Sequence, residues 1–241
     1  MRPVLLIAVA ACLVLAGCGG GDDQAPAETS SARVYFLLDG KVWPVARELG
    51  DEGGIGLQAL TALGKGPTKQ ERADLGLTSE ARSVDWSLTR NDDGFSFDVG
   101  DGISDAGLAQ IVYTLTQFPG HESVEIGGET YTRADFEDET PAILVETPLA
   151  YEEVTSPVRA TGTANTFEAT FQYELTDTDG RIVDEDFVTA TSGTGTRGTF
   201  DFTTDEFTVP FDGIGSLIVF ELSAKDGSRI NLVEIPLQMS K

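Results

Sequence analysis

The sequence predicts an α+β protein, in which an N-terminal sheet with two packed helices is followed by an all-β sandwich. Two observations support this prediction. Between residues 33 and 138, segments with strand periodicity alternate with segments of helical periodicity in the order β-β-α-β-β-α-β. From residue 139 to 241, short strands and turns follow one another without a helical period. We therefore expect two folded domains, at 33–138 and 139–241.

The first domain is predicted to contain two hairpins, at 34–45 and 84–99. The pair Asp39-Gly40 separates two apolar runs in the first hairpin, and turn residues at 91–94 separate two alternating segments in the second. A short strand at 123–126 follows. We expect these strands to form one sheet with helices packed on a face.

Two helices are predicted in the same domain. Within 54–64, the residues Leu57, Leu60 and Leu63 recur at near-helical spacing, and glycine and proline follow as stop signals. Within 104–118, apolar residues fall at i, i+3, i+4 and i+7, and Ser104 can cap the N-terminus. The segment 68–82 is polar and mixed, and no element is predicted there.

The second domain shows the alternation of a half-buried strand most clearly at 167–175, where every second residue is apolar. Seven or so short strands in about 100 residues indicate two packed sheets of the immunoglobulin type. A first strand is predicted from Ile143. Further strands are predicted at 158–162, 182–190, 199–202, 207–211, 216–222 and 230–235.

The N-terminus predicts a targeting signal that is removed. A positive start is followed by an apolar run at 4–15, which has the length of a signal-peptide core but is short for a membrane span. Two small residues directly before Cys18 resemble a bacterial lipoprotein signal, in which the cysteine is lipidated and becomes the mature N-terminus. We therefore expect a signal peptide at 1–17, lipidation of Cys18 and a flexible tether at 18–32. The protein would then be extracytoplasmic and lipid-anchored to the cell membrane.

The composition is strongly acidic, with 40 Asp and Glu against 16 Lys and Arg and a net charge of −24. Nucleic acid is excluded as a partner, because phosphate binding needs clustered cationic side chains. An anionic membrane surface would also repel the folded part, so attachment there depends on the lipid. Solubility explains such acidity, with a cationic ligand as the alternative. The only cysteines are Cys12 and Cys18, so no disulfide is expected in the mature chain.

Several segments resemble two domains of bacterial proteins. The helix at 109–120, together with 34–36 and 59–67, resembles the GerMN domain, found in sporulation and spore-germination proteins and in other envelope lipoproteins. The segment 156–170 resembles the immunoglobulin-like domain that is often joined to it. The resemblance implies non-enzymatic envelope modules with no catalytic residue to carry over. It also implies that the GerMN-like part is similar to ring-building domains, so self-association is an expected possibility.

Candidate catalytic and metal-binding residues are few. His121 is the only histidine, and no Gly-x-Ser-x-Gly motif accompanies it, so we interpret it as a turn residue. One histidine and a lipidated cysteine cannot form a closed zinc site. We predict no catalytic residues, no metal and no cofactor.

Calcium is the alternative to that prediction, because its ligands are oxygen atoms. Two groups of aspartates lie beside glycines, where they are also the ordinary residues of turns: Asp98, Asp101 and Asp105 in the first group, and Asp177 and Asp179 in the second. The glycine-rich segment 193–198 lacks a following helix, so we interpret it as a loop and not as a phosphate cradle.

Four aromatic residues, Trp43, Trp86, Phe95 and Phe97, could stack on sugars, although strand alternation explains them equally well as core. These observations predict a lipid-anchored, non-catalytic envelope protein that acts as a protein-interaction or assembly module, with a possible link to sporulation or germination. Its partner is expected to be an unidentified envelope protein. The alternative is a module that binds carbohydrate or peptidoglycan.

Overall fold

A computed structural model describes residues 30–50, 54–81, 87–91, 94–98 and 102–241. The first domain begins with the predicted hairpin, formed by strands β1 (Ser30–Leu38) and β2 (Lys41–Leu49). Both strands are longer than predicted, and β1 begins within the segment 18–32 that was predicted as a tether. The two-residue turn of the hairpin places Asp39 and Gly40 at φ angles of 51° and 78°. Aspartate and glycine are the residues that tolerate this left-handed conformation best, so the turn prediction is confirmed.

Three α-helices follow within the described part of this domain, where two were predicted. Helix α1 (Ile55–Lys65) buries Ala59, Leu60 and Leu63, whereas Leu57 is 43% exposed and lies off the buried stripe. Helix α2 (Lys69–Asp74) occupies the segment for which no element was predicted. Helix α3 (Asp105–Leu115) begins at the predicted cap, because the Ser104 hydroxyl accepts from the Gly107 amide at 3.1 Å.

The remaining strands of the first domain are short. They are β3 (Ser87–Asn91), β4 (Gly94–Asp98), β5 (Val124–Ile126) and β6 (Glu129–Tyr131). The β3–β4 hairpin is confirmed where the structure describes it, and residues 84–86 lie outside that part. Among the described residues the strands form two separate sheets, β1-β2 and β3-β4-β5-β6, and not the one sheet that was expected.

The open edge of β1 is covered by side chains of α3 and of the turn that follows this helix. The Tyr35 amide donates to the Thr114 hydroxyl at 3.2 Å, and the Gln110 amide group donates to the Tyr35 carbonyl at 3.0 Å. One turn further, Gln117 exchanges two hydrogen bonds with the Arg33 backbone, at 2.8 and 2.6 Å. Backbone groups at a buried edge must be paired, and here helix side chains supply what a neighbouring strand would otherwise supply.

The second domain is the predicted two-sheet sandwich. One sheet has the order β11-β10-β13-β14-β8 and the other the order β12-β9-β7. Rings from the two sheets meet in the core, with Phe171 5.0 Å from Phe200 and Tyr173 stacked 4.5 Å from Phe202. The strands are β7 (Ile143–Thr147), β8 (Glu153–Val154), β9 (Arg159–Ala164), β10 (Thr170–Thr176), β11 (Ile182–Thr189), β12 (Gly198–Thr203), β13 (Gly213–Leu222) and β14 (Arg229–Met239).

Two strand predictions in this domain are wrong in detail. The strand predicted from residue 167 begins at Thr170, because Glu168 and Ala169 adopt left-handed φ angles of 53° and 59°. The strand predicted at 207–211 is absent. There the Phe207 amide donates to the Ser156 hydroxyl, and Pro210 has no amide hydrogen to give to a ladder.

The two domains share one contiguous core, which extends from Val34 in β1 to Met239 in β14. Between them, a 3-10 segment, Arg133–Glu139, contacts both sides. The Arg133 guanidinium lies 4.6 Å from the centre of the Tyr113 ring and forms an ion pair of 2.9 Å with Glu146 of β7. The Tyr35 hydroxyl donates to the same carboxylate. We call these four residues the junction cluster.

A second ion pair joins the 3-10 segment to the sandwich. Glu137 accepts two hydrogen bonds from Arg197, at 2.8 and 2.9 Å, and one from Asn165 at 2.8 Å. Arg197 also donates to the Pro141 carbonyl at 3.0 Å. Planar guanidinium and carboxylate groups that pair in this bidentate way fix orientation as well as distance. The 3-10 segment therefore holds the two domains in a defined arrangement.

The pKa of Glu146 is set by two opposing effects. Burial alone would raise it, but the charge of Arg133 and the hydrogen bond from Tyr35 outweigh burial and lower it below its ordinary value. Burial, followed by the charge of Glu146, raises the pKa of Tyr35, so this hydroxyl stays protonated and donates. The junction cluster is therefore stable with Glu146 ionised.

We expect Glu146→Gln to lower the free energy of unfolding by about 1.5–3 kcal/mol at pH 7, because the partly buried Arg133 loses its counter-charge. A carboxylate with a lowered pKa in the folded protein stabilises it above the ordinary value of 4.5, and this contribution is lost as the pH falls through the lowered pKa. The difference between the variant and the wild type should therefore shrink below about pH 4.5. Chemical denaturation of the variant and the wild type across a pH series measures this difference in the free energy of unfolding.

The matched control is Asp201→Asn, which removes one partner of the exposed ion pair Arg159–Asp201. Its free energy of unfolding should stay at the wild-type value, because water screens an exposed pair. An equal loss in both variants, or a loss for Glu146→Gln that does not depend on pH, would contradict the role of the junction cluster.

A second expectation concerns the packing of the sandwich. A Cβ at Gly162 in β9 would overlap the Leu144 carbonyl oxygen and lie 2.7 Å from the Phe200 ring. We expect Gly162→Ala to destabilise the protein by about 1–3 kcal/mol or to prevent folding. Gly54, before α1, has no described neighbour within 4 Å of a Cβ. Gly54→Ala, at the N-cap of α1, should lower the melting temperature less than Gly162→Ala does. A larger effect at Gly54 than at Gly162 would contradict the steric role of Gly162.

Candidate functional site

The five-stranded sheet of the sandwich has an outer face that no described part of the chain covers completely. In β10, the side chains of Phe171, Tyr173 and Leu175 are buried against the other sheet. Side chains alternate between the two faces of a strand, so Gln172 and Glu174 lie on the outer face. The register of the neighbouring strands then shows which residues share that face.

An apolar row crosses the outer face, with apolar side chains on three strands and Gln172 on the β10 strand that lies among them. Phe187 of β11 and Phe220 of β13 both lie opposite Gln172, and Leu232 of β14 follows on the far side, next to the Val219–Val233 pair. Phe187 is 63% exposed and Leu232 is 51% exposed. Phe220 is only 4% exposed, because the Arg229 guanidinium covers its ring at 4.2 Å. The apolar row therefore presents two open side chains around a covered centre.

An acidic row runs parallel to the apolar row, two residues further along each strand. Glu185 of β11 and Ile218 of β13 both lie opposite Glu174 of β10. On the next strand, Glu234 of β14 lies opposite Ile218. Glu174 is buried and paired with Arg229, so its charge is neutralised locally. Glu185 and Glu234 are exposed. The acidic row therefore adds two open negative charges beside the exposed apolar side chains.

This arrangement has the chemistry of a protein-binding surface. Single exposed apolar residues are common, but several on one sheet face beside open charges are a pattern found at interaction sites. Leu222 enlarges the apolar area, since it is 46% exposed and lies opposite Arg229 at the end of the sheet. Burial of such side chains by a partner would release the water that covers them. We call this set of residues the outer face.

The described part of the chain also has concave regions away from the outer face. A cleft of about 610 Å³ at the edge of the sandwich has polar, charged and apolar walls, formed by Ser156, Arg181, Ile182, Glu206, Phe207 and Thr208. A groove of about 440 Å³ lies between the end of β2 and α1, where Leu49, Leu57 and Ala62 meet Lys65. Both are open surfaces, and the edge cleft carries one charge of each sign.

The candidate calcium residues Asp177 and Asp179 form a turn. One oxygen of Asp177 accepts from the backbone amides of Asp179 and Arg181, at 3.0 and 2.9 Å. These backbone hydrogen bonds lower the pKa of Asp177. Asp105 lies in the first turn of α3, whereas Asp101 and the Asp98 side chain lie outside the described residues. In the ranges that the structure describes, no three His, Cys, Asp or Glu residues come together as a metal site.

The other sequence candidates are dispersed. His121 lies in the segment between α3 and β5, and Cys18 lies outside the described residues. Trp43 is 5% exposed and belongs to the core, so it cannot stack on a sugar from solvent. Trp86 and the side chains of Phe95 and Phe97 are also outside the described part. The glycine-rich segment 193–198 is a loop, in which the Gly195 amide donates to Asn165 at 2.8 Å.

Sequence reasoning missed the outer face. A signal was present, because Phe187 directly follows three acidic residues, and Ile218, Phe220 and Leu222 alternate in β13 with the buried Leu217 and Val219. A strand that is apolar on both faces indicates that something covers its second face. The register was needed to bring these residues together from three strands.

The comparisons with known proteins concern both domains. Residues 33–130 match the Germane family, described as sporulation and spore germination. Residues 142–228 match the Gmad2 family, the immunoglobulin-like domain of bacterial spore germination. A search of the curated proteins finds no match. Of the helices in the described ranges, none is both long and apolar enough to cross a membrane. The chain is therefore similar, in order, to a sporulation and spore germination domain and to the immunoglobulin-like domain of bacterial spore germination.

Proposed function

We propose that this chain is a lipid-anchored, non-catalytic envelope protein, which acts as a protein-interaction module with a link to sporulation or germination. The outer face is the observation that supports this role most directly, since it exposes Phe187, Leu222 and Leu232 beside two open carboxylates. The domain content supports the link to germination.

The junction cluster supports the idea of a single module. Because the domains share one core and the 3-10 segment pairs with both, the outer face keeps a fixed orientation to the first domain. A partner that contacts both domains would then find its binding surface already assembled, which lowers the entropic cost of binding.

The proposed lipid at Cys18 would hold this module close to the membrane. Ser30, where β1 begins, is the twelfth residue after Cys18. A chain of that length spans at most about 40 Å. The module would therefore reach partners in or near the membrane, while its negative charge keeps it off anionic lipid.

The alternative function, binding of carbohydrate or peptidoglycan, is favoured by the edge cleft. Its walls combine the aromatic Phe207 with the opposite charges of Arg181 and Glu206. Such a mixture suits polar wall fragments that carry both amino and carboxylate groups. Trp43 is buried and no longer supports this alternative, which rests here on the edge cleft.

The anchor is tested by Cys18→Ser in the full chain. We expect the variant to move from the membrane fraction to the soluble extracytoplasmic fraction, because a thiol is required for the thioether-linked lipid. Cell fractionation and mass spectrometry of the mature N-terminus measure both effects. Cys12→Ser is the matched control, since it lies within the predicted signal and should leave attachment unchanged. Membrane attachment of Cys18→Ser at the wild-type level would refute the lipoprotein assignment.

The interaction role is tested by photocrosslinking in intact cells. A p-benzoylphenylalanine is placed at position 187 on the outer face or at position 211, where Phe211 is also about half exposed but lies outside the outer face. We expect a discrete protein adduct from position 187 that is absent from position 211 and is lost with Leu232→Ser. Equal adducts from both positions would contradict the proposal.

Photocrosslinking, combined with sedimentation with purified wall, separates the interaction function from the wall-binding function. If only wall fragments are recovered, and if sedimentation with purified wall is weakened by Phe207→Ala but not by Leu232→Ser, the edge cleft is the functional site. Expression and melting temperature of each variant show that the fold is kept. These outcomes would replace the interaction module by the wall-binding alternative.

A further inference from the structure

We propose that the outer face binds a cationic amphipathic segment of a partner protein, with the apolar row contacting its apolar side and the acidic row contacting its Lys or Arg side chains. This inference rests on the proposed interaction function and names the chemistry of the partner. It depends on the adjacency of the two rows, which the strand register establishes.

The dimensions of the outer face suit one helix. Neighbouring strands are about 4.8 Å apart, so a row across four strands extends about 14 Å. Two residues along a strand add about 7 Å, which is the separation of the apolar and acidic rows. A helix about 10 Å wide that lies along the rows covers both of them. Its apolar stripe and its charged side would then meet different rows.

The charges select the sign of the partner. Arg229 is paired with Glu174 and covers Phe220, so the cation of the outer face is already occupied. Glu185 and Glu234 are exposed at opposite ends of the acidic row. The net charge of −24 adds long-range attraction for a cationic segment and speeds its encounter.

Charge also argues against two other occupants. A second copy bound through the same face would bring its Glu185 and Glu234 towards those of the first, which like charges oppose. A bilayer with anionic lipids would meet the same two carboxylates and be repelled. A cationic amphipathic segment avoids both costs.

The experiment uses the chain from residue 18 with Cys18→Ser, which retains both domains and lacks the lipid. Two fluorescent probes are compared by anisotropy at low salt: a 14-residue amphipathic Leu/Lys peptide, and a Leu/Glu peptide of the same pattern. We expect the Leu/Lys peptide to bind and the Leu/Glu peptide to bind at least about tenfold more weakly. Binding of the Leu/Lys peptide should weaken as salt is added.

Variants locate the binding site. Phe187→Ser and Leu232→Ser should each weaken the Leu/Lys peptide by about tenfold, whereas Phe211→Ser should not. Glu185→Lys with Glu234→Lys should remove most of the preference for the Leu/Lys peptide, which binding through the net charge alone would not do. The control Glu206→Lys with Asp201→Lys changes the net charge equally, at exposed residues outside the outer face. It should keep the preference for Leu/Lys.

Several outcomes would overturn the inference. They are equal affinity of the wild type for the two peptides, equal loss of Leu/Lys binding with Phe211→Ser, and equal loss of the Leu/Lys preference in the control charge variant. Stronger binding of lipid vesicles that depends on Phe187 would also overturn it. A specific protein adduct from position 187 in cells, combined with no preference for Leu/Lys, would refute this inference and leave the proposed function in place. If neither the protein adduct nor the preference for Leu/Lys is observed, this inference and the proposed function are both refuted.

Discussion

The arrangement of the two domains depends on the ion pair between Arg133 and Glu146. The Arg133 guanidinium lies beside the Tyr35 and Tyr113 rings, where an uncompensated charge would be costly. The compensating carboxylate comes from the sandwich, and Tyr35, which donates to it, comes from the first domain. Neither domain alone satisfies these groups. Each domain is therefore stabilised by its contact with the other. This contact fixes the orientation of the outer face relative to the first domain.

Helix α3 shows what the sequence can and cannot predict. The cap at Ser104 and the apolar period were predicted correctly, because both are local. The polar residues Gln110, Thr114 and Gln117 recur at i, i+4 and i+7, which is typical of a solvated helix face. Instead, they pair with the edge of β1, and Gln110 is fully buried. Side-chain pairing across 75 or more positions depends on tertiary structure, so the division of the expected single sheet could not be predicted.

Other differences have local causes. Helix α2 was missed although Thr68 and Glu71 form a capping box, whose Thr-x-x-Glu spacing was visible in the sequence. Because the residues of this helix are mostly polar, no apolar periodicity accompanied the capping box to indicate a helix. The strand expected at 207–211 has apolar alternation, but the Phe207 amide donates to the Ser156 hydroxyl, and Pro210 has no amide hydrogen. Periodicity shows which face of a segment is apolar, whereas hydrogen bonding decides whether it joins a sheet.

The same distinction applies to the outer face. Phe171 and Phe187 lie on neighbouring strands, yet the first is in the core and the second is in water. Composition predicts attraction to cations over the whole surface but gives it no location, since the acidic residues are spread along the chain. The apolar row supplies the location, because desolvation acts only over short distances. Specificity would then come from the adjacency of the two rows. An anionic partner is not attracted by the acidic row, and a cationic partner without an apolar side cannot bury the apolar row.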